Sequence, residues 1–266
     1  MRVALGIDAA WTATQPSGVA LAVETAQGWR LKAVESSYAR FREFASTGAA
    51  TSPARGETPD PARLLDACRL LAGQAPDLIA VDMPLALTPI VGRRVSDLAI
   101  SRAFGAAKAA THSPSALRPG KLADRLRENF AQAGYKLCTA EGIETPGIME
   151  VYPHAALLAL SGDKTRLTYK AGKTTIYWRD LDRPQRLARL AEVWRRIVGL
   201  LETRIGGVAD ALPLPDMRGR ALKDYEDRLD AVVCAGVAIA ALEGRARAYG
   251  DAGSAIWVPV GGLTAG

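Results

Sequence analysis

Apolar and small residues alternate from the start of the chain. Val3, Leu5 and Ile7 fall on one face, Ala4 and Gly6 on the other, and Asp8 closes the run. A period of two predicts a half-covered β-strand from Arg2 to Asp8. Ser17 to Glu24 predicts a second strand. Trp29 to Ser36, after a turn at Gln27-Gly28, predicts a third, and three short neighbouring strands suggest an antiparallel meander. Thr47 to Pro61 is rich in Gly, Ser, Pro and Thr and reads as a mobile loop. Asp60-Pro61 then opens a helix through Leu64, Leu65, Cys68 and Leu71, with proline at the first helical position. Leu78 to Asp82 is almost wholly apolar, as a central strand covered on both faces would be.

Further along, the periodicity predicts helices over Val95 to Ala110 and Lys121 to Gly134, and a short strand over Ile148 to Tyr152. Prolines open two more helices, Pro153 to Leu160 and Pro184 to Leu201. A final helix is expected from Asp227 to Tyr249, and a last strand from Ala255 to Val260. The pattern predicts one α/β domain over residues 1–266, a mixed sheet with helices on both faces. Helical insertions are expected at roughly 95–145 and 160–225.

Composition changes this picture little. Of 266 residues, 48% are hydrophobic and 23% charged, as in ordinary globular chains. The three cysteines, Cys68, Cys138 and Cys234, are scattered and form no CxxC pair. With only His112 and His154 besides, a zinc cluster or disulfide framework is not expected, and a reduced cytoplasmic setting is. Met1-Arg2 runs straight into the first strand, so no leader is expected. The longest apolar run, Ala231 to Leu242, is too short to span a bilayer, which argues against a membrane partner. A net charge of +6 weakly favours polyanionic partners. There is no GxxxxGK[ST] loop and no GxGxxG after a strand; Gly261-Gly262 is not such a motif.

The chemistry lies in the acids. Asp8 and Asp82 each end an apolar strand, where burial penalises a charge. Ligands of open sheets bind beyond such carboxyl ends. Either aspartate alone is usually a turn former or helix cap; two in one sheet shift that balance. Asp227 and Asp230 stand three apart in the last helix and share a face. Asp227 is also explained by a place in that helix's first turn, beside the macrodipole. Asp230 shares a stripe with Cys234, Ala238 and Ala241, small side chains that let the helix lie against Ala4 and Gly6 and bring Asp230 to Asp8. Clustered carboxylates repel unless a cation neutralises them. Hard oxygen ligands without His or Cys select Mg²⁺ or Mn²⁺, and two such ions about 4 Å apart hydrolyse phosphodiesters.

Gly6-Ile7-Asp8 leading a meander, Val81-Asp82-Met83-Pro84, and the Asp227-x-x-Asp230 helix resemble the RNase H-like superfamily, the last element most closely its Holliday-junction resolvase branch. The ordered set Asp82-Met-Pro-Leu, Arg94-x-x-Asp97, His112-Ser113-Pro114-Ser115, Glu150-Val-Tyr-Pro153-His154, Leu229-Asp230-Ala231 and Tyr249-Gly250-Asp251 is similar to the domain of unknown function 429 family, predicted RNase H-fold nucleases. The resemblance implies a five-stranded RNase H-like sheet. It further implies a metal-dependent nuclease in which Asp8, Asp82 and Asp230 are the principal ligands, with Asp227 or Glu150 as a further one and nucleic acid as the substrate.

Other residues carry two readings each. Glu150 either faces the cleft or is an exposed strand-edge acid. Arg94 and Asp97 either grip a phosphate or form a surface ion pair. Ser113 and Ser115 either contact phosphate or shape turns. His112 and His154 are candidate proton carriers, His154 equally a helix cap. Lys170 either reaches a phosphate or is solvated, and Trp11 either stacks on a base or packs at the rim. Two other functions compete with the nuclease: an actin-like or sugar-kinase-type phosphotransferase, and a non-catalytic nucleotide- or nucleic-acid-binding module.

Overall fold

The computed structural model describes residues 1–260; Gly261-Gly262 and the end of the expected domain lie outside them. In chain order the elements begin β1 (Val3–Asp8), β2 (Gly18–Thr25), β3 (Gly28–Glu35), α1 (Tyr38–Thr47), α2 (Pro61–Ala72) and β4 (Leu78–Val81). There follow α3 (Val95–Phe104), α4 (Lys121–Gln132), β5 (Lys136–Leu137), β6 (Gly147–Val151), α5 (Pro153–Ser161) and α6 (Thr174–Tyr177). The remainder are α7 (Arg183–Glu202), β7 (Ile205–Gly206), α8 (Val208–Ala211), α9 (Gly219–Leu242), β8 (Ala246–Gly250) and β9 (Ala255–Pro259).

The sheet is mixed, as expected, but among the described residues it has nine strands rather than five, in the order β7-β3-β2-β1-β4-β6-β9-β8 with β5 also pairing β6. β1, β2 and β3 form the antiparallel meander, with Asp8 opposite Gly18 and Val19 opposite Glu35. β4 runs parallel to β1, and β6 parallel to β4. The extra strands are short or peripheral: β5 and β7 are two residues long, and β8 hairpins onto β9.

Alternation along β1 sorts two cores. Val3, Leu5 and Ile7 meet Phe41, Leu64, Leu65 and Phe130 from α1, α2 and α4. Ala4, Ala20, Ala22 and Ala80 belong to the core built around α7 and α9. Both faces are therefore covered, and β1 is fully rather than half buried up to Asp8. β4 is buried throughout, as its apolar run implies.

The last helix differs most from expectation. It starts at Gly219, eight residues early, and stops at Leu242, where Glu243-Gly244 turns the chain back into β8. Asp227 and Asp230 thus lie inside the helix, and the macrodipole explanation of Asp227 no longer applies. Val95–Phe104 also stops short of Ala110. Residues 38–47 form α1, capped by Ser37, whose Oγ accepts from Arg40 N–H at 3.2 Å.

Candidate active site

Register puts the two strand-ending aspartates side by side. Ile7 pairs with Val81 and the Asp82 N–H donates to Ile7 O at 2.8 Å, so Asp8 and Asp82 leave adjacent parallel strands together. Asp8 shares the face of Ala4 and Gly6, the face on which α9 lies. A Cβ built on Gly6 would stand 2.0 Å from Ala231 O and 2.3 Å from Ala235 N, and one on Gly18 would stand 2.0 Å from Asp227 O. Only glycine permits that approach, which delivers the α9 carboxylates to the strand ends as expected.

Asp227 meets the Asp8 carboxyl side to side, and Asp230 is close enough to raise the pKa of both Asp8 and Asp82. Two lysines neutralise part of this charge. The Lys170 ammonium binds Asp230 and lies 3.4 Å from Glu226 Oε1; that of Lys223 binds Asp227 and also lies 3.4 Å from Glu226 Oε1. The Tyr169 hydroxyl donates to Asp230 Oδ1 at 2.7 Å, and Ala171 N–H donates to Glu226 Oε2 at 2.6 Å. Five carboxylates thus face two ammonium groups, a formal excess of three negative charges.

The protonation equilibria reflect that excess. Burial, with Asp230 and Asp227 adding repulsion, holds the Asp8 carboxyl well above the usual range. Burial pushes Asp82 up to about 7, with Lys170 pulling back and Asp230 pushing further. Asp227 rises to about 6 through burial, against the pull of Lys223. Burial opposes the Lys170 charge, yet Asp230, Tyr169 and Glu226 keep it protonated well beyond neutrality.

These groups floor a cleft of about 1090 Å³. Asp8, Asp82 and Asp227 line it, and Arg118, Lys173 and Arg220 stand around it. Asp230 is 0% exposed, beneath Lys170 and Tyr169. Oxygen donors in charge excess fit a hard divalent cation in kind. As they stand, with Lys170 and Lys223 drawn in, no three His, Cys, Asp or Glu side chains among the described residues are arranged to hold one.

Several residues sit differently from their sequence readings. Glu150 is no exposed edge acid. Met149 and Val151 point into the α9 core, so Glu150 on β6 faces the other side of the sheet. There it accepts from Arg94 at 2.5 and 2.7 Å and from Leu85 N–H at 2.7 Å. Burial still pushes its pKa up to about 7 against Arg94. Arg94–Asp97 is a buried pair, not a surface one: Arg94 Nε and Nη2 donate to Asp97 at 3.0 and 2.8 Å, and Nη1 also donates to Leu85 O at 2.7 Å. Every Arg94 nitrogen serves the protein, and the cleft wall contains Asp97 and Glu150 but not Arg94. Lys170 is not a solvated lysine, and His154 is not a cap, since Tyr152 occupies that position.

Trp11, Ser113, Ser115, His112 and His154 all line the cleft, with the Arg118 guanidinium 5.9 Å from the Trp11 ring centre. Sequence reasoning missed Tyr169, Lys223 and Glu226. The i,i+4 spacing of Lys223 and Asp227 was a usable signal; for Tyr169, in a loop, there was none.

Compared with known families, residues 6–253 match the family described as "Protein of unknown function (DUF429)". The chain belongs to the DUF429 family. No curated protein and no solved structure matches it significantly. In this DUF429 chain the family match takes in every candidate residue from Asp8 to Asp230. None of the described helices is long and apolar enough to cross a membrane.

Proposed function

We propose that this protein is a divalent-metal-dependent nuclease of RNase H-like fold. The observation that carries the reading is the convergence of Asp8, Asp82 and Asp227 from β1, the end of β4 and α9 on the floor of one cleft with cations around it. The strand order β3-β2-β1-β4-β6, three antiparallel and then two parallel to β1, supports the fold assignment. Asp8, Asp82 and Asp227 would hold Mg²⁺ or Mn²⁺, with Asp230 behind them. When bound, such ions supply an acidified water and charge stabilisation at the phosphoryl oxygens.

The chain's own residues do the rest. Arg118, Lys173 and Arg220 attract the phosphate backbone over a distance set by ionic strength. Trp11, partly exposed beside Asp8, offers a face on which a base stacks. Lys170 and Tyr169 fix Asp230, and Arg94 fixes Glu150 at the cleft wall, so neither acid moves as charge enters the site. To hold a cation, the carboxyls of Asp8 and Asp227 would have to be ionised.

The test is calorimetric titration of Mn²⁺ and Mg²⁺ into wild type and Asp8→Asn, followed by cleavage of labelled DNA and RNA. Metal binding and cleavage lost together in a folded Asp8→Asn protein support the reading. Cleavage unchanged in that variant removes it. Saturable ATP binding with phosphate transfer supports a phosphotransferase instead.

A further inference from the structure

His154 is a buried polar group without a partner. It is 7% exposed, lines the cleft, and its Nδ1 makes no hydrogen bond. Its ring packs edge-to-face against Tyr152, 5.5 Å away, and Tyr169, 5.2 Å away. Leaving such a group unpaired costs free energy, and native folds usually supply the partner.

The surroundings say which partner. Lys173 and His112 share the cleft wall with His154, and Arg166 lies close behind. Arg166 and Lys173 are half-buried, and neither makes an ion pair with a carboxylate among the described residues. The cations press on one another. Burial, then Arg166 and Lys170, lowers the Lys173 pKa; burial, then Lys173 and Arg166, lowers that of His112; and burial, then Lys170 and Arg166, holds His154 neutral. Ser113 and Thr111 add hydroxyls on the same wall. A concave cluster of unneutralised cations around an unpaired imidazole is the complement of a phosphate.

We propose that the cleft holds a second subsite, formed by His154, His112 and Lys173 with the Arg166 charge behind them, that binds a phosphate group of the substrate beside the acidic floor. This rests on reading the cleft as a phosphodiester site and makes it bipartite. The carboxylates take the scissile group, and the cationic wall takes another phosphate of the same substrate. An imidazole N–H of His154 donates to one phosphate oxygen, Lys173 pairs with another, and the Arg166 charge behind them adds long-range attraction.

The chain has only two histidines, so their C2–H proton resonances form a two-line spectrum, assigned with His112→Gln. Inorganic phosphate is titrated into the metal-free full chain at constant ionic strength, with chloride as control. Both lines should shift saturably with phosphate and not with chloride. The affinity should fall about tenfold in Lys173→Ala, as expected for loss of one charge-assisted contact, and by a smaller factor in Arg166→Gln, which removes a charge at one remove. Circular dichroism checks that each variant is folded. Unmoved lines, or wild-type phosphate affinity in the folded Lys173→Ala and Arg166→Gln variants, overturn the subsite. Competition by a nucleoside monophosphate and by a dinucleoside monophosphate then tells a terminal phosphate from an internal one. A protein that cleaves nucleic acid while its histidines ignore phosphate loses the subsite alone. One that binds phosphate in this way and never cleaves keeps the subsite and loses the nuclease reading.

Discussion

Gly6 of β1 lies against the backbone of Ala235 in α9, so closely that a Cβ at Gly6 would fall 2.3 Å from the Ala235 nitrogen. This contact sets the height of α9 above the sheet and thereby the distance between Asp8 and the α9 carboxylates. Gly6→Ala must push the helix off β1, an overpacking cost of about 3 kcal/mol or more. A melting temperature lower on the order of 10 °C is expected, together with weaker divalent binding. Gly199→Ala, where an added Cβ meets nothing within 4 Å, serves as the control and should be neutral or slightly stabilising. Equal melting of the two variants would contradict the packing argument.

Much of the framework was legible in the chain because its signals are local. Alternation marked β1 to β3, an apolar run marked β4, and Pro61, Pro153 and Pro184 marked helix starts correctly within a residue or two. Asp8 and Asp82 were legible because a charged residue ending an apolar strand needs an explanation. Placing Asp230 near Asp8 followed from small residues on both partners, although Gly6 is met by Ala231 and Ala235 rather than by the stripe of Cys234, Ala238 and Ala241.

What escaped notice depends on distant partners. The two-residue strands β5 and β7 exist only through their ladders with β6 and β3. The side of the sheet that Glu150 faces follows from the parity of β6, which a one-residue shift would reverse. Arg94 looked like half of a surface pair because its second carboxylate is 56 residues away. The first two turns of α9, Gly219 to Glu226, are too polar to show an apolar stripe.

Arg94 links Asp97 and Glu150 in a buried triad, and its loss strands two acids in a low-dielectric site. Arg94→Met should destabilise by roughly 3–5 kcal/mol, read as a lower urea midpoint with unchanged slope. Arg94→Lys should recover only part of this, since an ammonium cannot reproduce the bidentate fork. Adding Glu150→Gln to Arg94→Met should restore part of the stability by removing one stranded charge. Were Arg94 instead a phosphate ligand, Arg94→Lys would raise KM and leave the urea midpoint in place.

The acidic floor fixes the sign of the pH dependence. Asp82 titrates near 7 and Asp227 near 6 in the folded protein, against about 4 when unfolded. A raised carboxyl pKa contributes stability that is fully present below about pH 4 and is lost as pH climbs through 6 and 7. Glu24, held near 2 by its hydrogen bonds with Arg2, and Glu43, held near 2 by Ser52 and Thr51, act oppositely and lose their contribution in acid. Metal-free protein should therefore be most stable near pH 4, and lose on the order of a few kcal/mol of stability by pH 8. Thermal scans from pH 4 to 9 check this, and Asp82→Asn should flatten the alkaline limb.

Lys223 and a divalent ion compete for the same carboxylate. The Lys223 ammonium binds Asp227, and its side chain is half exposed, so it can leave without disturbing the core. Lys223→Ala removes a positive charge beside the floor and frees Asp227, so Mn²⁺ affinity should rise by about tenfold, the equivalent of one partly screened charge interaction. Lys170→Ala should behave differently. Asp230 is fully buried and would lose its counter-ion, so that variant should melt lower as well as alter metal binding. In wild type, Mn²⁺ should raise the melting temperature more at pH 8 than at pH 5.5, because binding requires ionised carboxylates. If Lys223→Ala leaves Mn²⁺ affinity unchanged while Asp8→Asn abolishes it, Asp227 is not a ligand, and the metal is held by Asp8 and Asp82 from the strand ends.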